Sequence, residues 1–323
     1  MNHFAIELAA DGKGHEVDAG AACTERPTRA RFVWVHLDGN AADTVGWLEA
    51  HAGLPGPVIH ALTAIETRPR CDAIDDGALI NLRGPGAEET DEADDRLVSV
   101  RIWVEQGRAI SVGFRVLAGF DGLRAKMMGG AIQDPGDLVS NLAVVITTRV
   151  DPVIADLDEL VDDCETALDP SRAYQTRRRI ARARSDAIAY RRFVAPERDA
   201  LLRLAELEAG WMADDDRLHL REAADRFARM AEQLEALRER AALIHEQLTD
   251  LRSEQIENRA LLLSIVALIF LPLTFLTGLL GMNVEGIPFA KEPWAFAAVC
   301  GVCVAIAAGI TTWFAAARWF SGR

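Results

Sequence analysis

The 323 residues carry 49 acids against 35 bases, a formal charge of −14 at neutral pH, and the mean hydropathy is close to zero. That excess argues against nucleic-acid binding, which needs basic surface to displace counterions from phosphates. It suits a domain that gathers cations around itself, and equally one that is simply soluble. The average also hides two populations. From Ala260 onward only Glu285, Lys291, Glu292, Arg318 and Arg323 are charged, so the acidity belongs to the preceding residues.

The start, Met1 to Glu7, lacks the basic region and apolar core of a signal peptide. Residues 1–136 read as an α/β domain. Arg31 to Leu37 is β-rich and ends at the turn Asp38-Gly39; Ala78 to Leu82 is a second strand candidate. Leu97–Val104 and Ala109–Phe114 flank Gln106-Gly107 as a hairpin, and helices are expected over Ala41–His51 and Val58–Glu66. Gly86 to Asp95 is a polar acidic loop.

Residues 137–213 form a helical segment. One helix is predicted from Asp137 to Leu168, another from Arg172 to Trp211 with a bend at Pro196, where the backbone loses a donor. From Asp214-Asp215-Asp216, which suit a helix N-terminus, no glycine or proline occurs before Pro272. Leu220, Phe227, Leu234, Ala241 and Leu248 repeat every seven residues, as do Ala223, Met230, Leu237, Ile244 and Leu251. That stripe marks a coiled coil or a long packed helix. It predicts a stalk over 214–259, continuous with an uncharged first span over 260–283. A loop over 284–293, a second span over 294–317 and a short tail over 318–323 complete the chain. Each uncharged stretch exceeds the roughly 20 residues needed to cross a bilayer core. Arg252 and Arg259 before the first span and Arg318 and Arg323 after the second place both termini on the cytoplasmic side.

The loop opens on Gly281-Met282-Asn283 and continues through Gly286-Ile287-Pro288, after Phe270-Leu-Pro-Leu-Thr-Phe-Leu-Thr-Gly278. These words at the tip of a two-span hairpin resemble the CorA superfamily of divalent-cation transporters, and most of all its zinc-transporting ZntB branch. Tyr190 to Arg198 also resembles a recurrent stretch of the CorA cytoplasmic helices. The resemblance implies an α+β fold in a funnel-shaped homopentamer of the inner membrane, whose partners are its own copies, the lipid bilayer, divalent cations and protons. Gly-Met-Asn is also the spelling typical of magnesium-transporting relatives, which keeps magnesium, cobalt or nickel as alternative cargo. A coiled-coil sensor anchored by a hairpin is the rival from another class.

Two spans cannot enclose a watery path in one subunit, so transport requires matching first spans around an axis. Helical spacing puts Ala260, Leu263 or Ser264, Ala267, Leu271, Thr274 and Gly278 on one stripe running to Asn283. No acid or histidine lies on it, and a bare divalent ion in such a setting is prohibitively costly. The ion is expected to keep much of its water, held by an Asn283 ring, with Thr274 as a second polar ring and Leu271 as a hydrophobic constriction. Alternatively Thr274 bonds back to its own helix, Asn283 caps it, and Gly278 and Gly281 serve close packing. Glu285 would gather cations at the outer mouth or merely be solvated.

Dedicated metal sites are less evident. Cys300 and Cys303 have zinc-like spacing but lie in the second span, where packing is the expected role; with Cys23, Cys71 and Cys164 they form no disulfide framework. His219 and His245 are too far apart to share an ion. Asp156 to Asp163 is either a solvated face or a cation site between subunits. Nucleotide loops, nucleophile elbows and zincin motifs are missing from the sequence, so no enzymatic activity and no bound cofactor are expected.

Overall fold

The computed structural model describes residues 3–24, 32–65, 68–87, 97–167, 172–282, 287, 289 and 292–320. The chain divides into two compact units, Met1–Glu246 and Gln247–Arg323. Asn283, Glu285, Glu66, the acidic loop beyond Ala87 and the Asp169-Pro170 helix stop lie outside the described residues.

The first unit is built on a seven-stranded sheet in the order β2-β1-β3-β7-β6-β5-β4. Its strands are β1 (Phe4–Leu8), β2 (Gly14–Glu16), β3 (Phe32–Asp38), β4 (Arg70–Ile74), β5 (Gly77–Pro85), β6 (Leu97–Glu105) and β7 (Arg108–Gly113). Neighbours are antiparallel except the central pair β3–β7, which is parallel, with Val35 opposite Ile110. Central strands covered on both faces read as unbroken apolar runs, and β3, β5, β6 and β7 do so. The short outer strands Gly14–Glu16 and Arg70–Ile74 carry too many polar residues to announce themselves.

Helices cover both faces. On one side α1 (Ala19–Thr24), α2 (Thr44–Trp47), a π-helical turn (Leu48–Ala52) and α3 (Gly56–Thr63) bury Leu48, Val58 and Leu62 against Val33, Val35, Trp103 and Ile110. On the other, α4 (Phe120–Met128) brings Phe120 edge-on to Trp34, at 5.3 Å between ring centroids. Here too lie α5 (Pro135–Thr166) and α6 (Ala173–Ala205). Helix α6 continues through Pro196 and ends six residues before Trp211, earlier than expected. Arg217 explains the stop: its guanidinium donates to the carbonyls of Ala205 and Leu207, satisfying the end of α6. Glu197, fully buried on α6, accepts the Arg83 N–H beyond the point where β4 ends its pairing with β5, whose other edge stays paired with β6.

Helix α7 spans Asp214–Leu280, 67 residues, passing through Pro272. Every heptad position from Leu220 to Leu248 on both rows is at most 3% exposed, whereas Leu251 is half-buried. The stripe is buried within the chain itself. Arg240 of α7 reaches three acids of α5, and Glu235 meets Arg191 of α6 at 2.9 Å, so α7 packs as the third helix beside that pair. Helix α8 (Ala295–Phe320) follows.

Candidate functional site: the membrane-length hairpin

Among the described residues, three helices are long and apolar enough to cross a membrane. The apolar window of α5 is half buried inside the protein, whereas those of α7 and α8 contain no buried residue. Those two therefore present the surface that a soluble fold cannot leave uncovered.

Within the second unit each helix has a half-buried side and an exposed one. On α7 the half-buried residues are Ile265, Ile269, Pro272, Leu273, Leu276 and Leu280; on α8 Val299, Cys303, Ile306, Ile310 and Phe314 recur at the same spacing. These are the sides on which the helices pack. At 100° per residue, Leu263, Ala267, Leu271, Thr274 and Gly278 centre roughly 170° from the half-buried stripe of α7. All five are exposed, Leu263 to 72% and Leu271 to 76%. Ala260 is exposed as well.

The hydroxyls sort themselves. Ser264 donates to the Ala260 carbonyl at 2.9 Å, and Thr277 donates to Leu273 at 2.9 Å and to Thr274 at 3.2 Å. The Thr274 side chain makes no such bond among the described residues. A hollow of about 810 Å³ beside it is bounded by Leu268, Leu271, Pro272, Phe275 and Ile310. At the end of α7 the Gly281 N–H donates to the Thr277 carbonyl at 2.9 Å. A Cβ on Gly281 would also sit 2.9 Å from that oxygen, so only glycine closes this turn without displacement. Gly278, by contrast, has nothing within 4 Å of a would-be Cβ, so within the chain it serves no close packing. Met282 is half exposed.

Four acids of the α5 run are held by arginines. The Arg240 guanidinium pairs with Asp158 at 3.0 Å, with Asp162, and with Glu165 at 2.7 Å; Arg179 reaches Asp163 at 3.4 Å. Nothing in the spacing of this run announces that Arg240, 75 to 82 residues further along, clamps it. Among the described residues one triad could offer ligand atoms to a single metal ion: Asp134, Asp137 and Asp216, with oxygens within 4.8 Å of one another. Each also terminates a helix. Asp134 accepts the Asp137 N–H at 2.9 Å, Asp137 accepts from Gln133 at 2.9 Å, and Asp216 accepts from Ala213 at 3.0 Å and Ser140 at 3.4 Å. Burial, aided by the charges of Asp134 and Asp137, raises the Asp216 carboxyl to about 6. Cys300 is exposed and Cys303 half-buried, a turn apart on α8, and among the described residues neither joins a metal-ligating group. His219 lies 3.9 Å from Asp215, a turn away on its own helix.

Against known proteins, residues 29–318 match the family model described as CorA-like Mg2+ transporter protein. A zinc transport protein ZntB of Pectobacterium carotovorum subsp. carotovorum is 32% identical over 313 residues, covering 96% of this chain and 94% of that one. The Klebsiella pneumoniae protein of the same name is 33% identical, covering 88% and 87%. Among solved structures, the full-length CmaX protein superposes with a TM-score of 0.78 at 29% identity, over 98% of this chain and 97% of the other. The CorA magnesium transporter of Methanocaldococcus jannaschii shares the fold with the same TM-score at 17% identity, over 97% of both chains.

Proposed function

This chain belongs to the CorA-like Mg2+ transporter family, and on that premise we propose that it carries divalent cations, zinc foremost, across the inner membrane through a homopentameric pore. The observation that carries the reading is the exposed face of α7 from Leu263 to Gly278, set away from the half-buried side of that helix. In a single chain that face has no covering; around an axis, five copies would wall a path with it. Zinc is favoured over magnesium by the ZntB relatives, which align over nearly the whole chain. Magnesium remains the second reading, favoured by the spelling Gly281-Met282-Asn283.

The chemistry follows from the side chains. A stripe of leucine, alanine, glycine and threonine offers no anionic ligand, so the cation passes with its hydration shell and the walls accept hydrogen bonds from that water. The Thr274 hydroxyl, uncommitted to its helix, forms a polar ring one turn from the Leu271 constriction. Asn283 serves as the outer carbonyl ring, and Glu285 raises the local cation concentration at the mouth. A membrane potential drives a divalent ion inward by about 4.6 kcal/mol per 100 mV, twice the single-charge value. The stripe holds no titratable relay, so proton coupling would act through residues elsewhere. Like its family, the protein is a transporter and not an enzyme.

The test is metal flux into proteoliposomes of the purified chain, zinc beside magnesium, with and without an inward proton gradient. Zinc flux that Asn283→Ala abolishes is the expected result. Magnesium flux alone would select the second reading, and the absence of flux for both ions would overturn transport.

A further inference from the structure

The helical hairpin of the first unit is electrically split. Between Asp151 and Glu165, α5 carries seven acids and no base; between Arg177 and Arg192, α6 carries seven arginines and one acid, Asp186. Opposite charges on adjacent antiparallel helices would be expected to neutralise one another across the seam. Among the ion pairs of the described residues, Arg179 to Asp163 at 3.4 Å spans this seam. Asp158, Asp162 and Glu165 turn instead to Arg240 on α7, and Arg191 turns to Glu235.

What remains is directional. Arg177, Arg178, Arg184 and Arg192 are exposed, fall within an arc of about 120° on α6, and have no ionic partner among the described residues. Tyr174, 75% exposed, and Ile188, 49% exposed, lie on the same arc. Arginine with tyrosine and an aliphatic side chain is the composition of an interface core, not of an ordinary solvated face. On α5, Asp156 and Glu159 are exposed and likewise without a cationic partner among the described residues.

We propose that this bipolar hairpin is the contact between copies of the chain: the arginine face of α6 docks on the acidic helix α5 of a second copy. The inference rests on the oligomeric reading given above. Charge complementarity selects the occupant, because the chain presents both halves of the pair, one per helix. A polyanion such as nucleic acid or an anionic lipid surface would meet the arginines only after approaching a protein of net charge −14, which repels it. Pairing basic on acidic also sets the register between copies, since like-charged helices brought together would repel.

The experiment is subunit exchange, read by energy transfer between donor-labelled and acceptor-labelled full-length chains in detergent. Reversing the basic face with Arg177→Glu, Arg178→Glu and Arg184→Glu should speed exchange about tenfold at low ionic strength. Asp156→Lys with Glu159→Lys should do the same. All five changes in one chain should restore a rate within about threefold of the parent, which a merely unfolded variant could not do. The parent itself should exchange faster as salt is raised from 0.1 M to 1 M, where screening shortens the reach of charge from about 10 Å to about 3 Å. Unchanged exchange in either set, or failure of the combined chain to recover, overturns the proposal. Loss of binding to anionic vesicles by the arginine variant, with exchange unaltered, would also overturn it and give the face to lipid. A parent chain that is monomeric would instead sink the oligomeric reading, and this inference with it.

Discussion

Single residues in this chain do work that their spacing only partly announces. Of the two hydroxyls at this level, Thr277 is the one that returns to the helix carbonyls, while the Thr274 side chain makes no such bond among the described residues. Gly281 closes the last turn of α7 because no Cβ fits against the Thr277 carbonyl. Gly281→Val is therefore expected to displace the tip of the first span and to lower flux at least tenfold while leaving the first unit folded, checked by transport beside circular dichroism. Asp216 gives a pH prediction. Its folded value of about 6 lies above the ordinary 3.8, so the native state binds the proton more tightly; the stability it contributes is full below pH 3.8 and is lost as pH rises through 6. His36 acts in the opposite sense. Burial lowers it to about 3, so the native state loses stability as pH falls below about 6.5, where the unfolded imidazole takes a proton. Asp216→Asn keeps an oxygen for the Ala213 N–H and removes the charge. Its thermal midpoint should equal or exceed the parent's at pH 7.5, and that advantage should disappear by pH 4.5, where the parent's Asp216 has taken up its proton; His36 titrates in both chains and cancels from the comparison. A variant that is destabilised at pH 7.5 and unaffected at pH 4.5 would contradict the assignment.

At the scale of elements, legibility followed burial pattern. The heptad rows on α7 were readable because every position from Leu220 to Leu248 faces packing, and a seven-residue repeat survives only under that pressure. What they pack against was not readable, since a stripe of leucine and alanine fits a second copy as well as α5 and α6 of the same chain. Leu234→Ala, in the middle of the stripe and wholly buried, is expected to cost about 2–5 kcal/mol of stability. The loss should appear in the monomer's unfolding, independent of protein concentration; a strong concentration dependence would mean the stripe holds copies together instead. The central strands showed themselves through unbroken apolar runs, while Arg70–Ile74 and Gly14–Glu16 were hidden by their polar edge positions. The Arg240 clamp was hidden for another reason: ion pairs between helices depend on where the chain returns. With 36% of its side chain exposed, each of its pairs contributes at most about 1 kcal/mol. Arg240→Ala should still lower the thermal midpoint at low salt, through the mutual repulsion of Asp158, Asp162 and Glu165, and 0.5 M salt should close most of the gap.

For the whole molecule the decisive contrast is between the acidic residues up to Arg259 and the stretch from Ala260 onward, in which only five residues are charged. The hairpin reading came from the sequence because hydrophobic length is a property of the chain alone. The stripe on α7 was also read from helical spacing; that Leu263, Ala267, Leu271, Thr274 and Gly278 are all exposed came only with the structure. The central claim is that this bare face borders the ion's path. It is tested most directly by placing single cysteines in a chain whose five native cysteines are replaced, then measuring zinc flux before and after a water-borne thiol reagent. Thr274→Cys should be modified and its flux blocked, while Ile269→Cys, on the side packed toward α8, should be unaffected. Block at Ile269 and indifference at Thr274 would put the path on the opposite face and contradict the account.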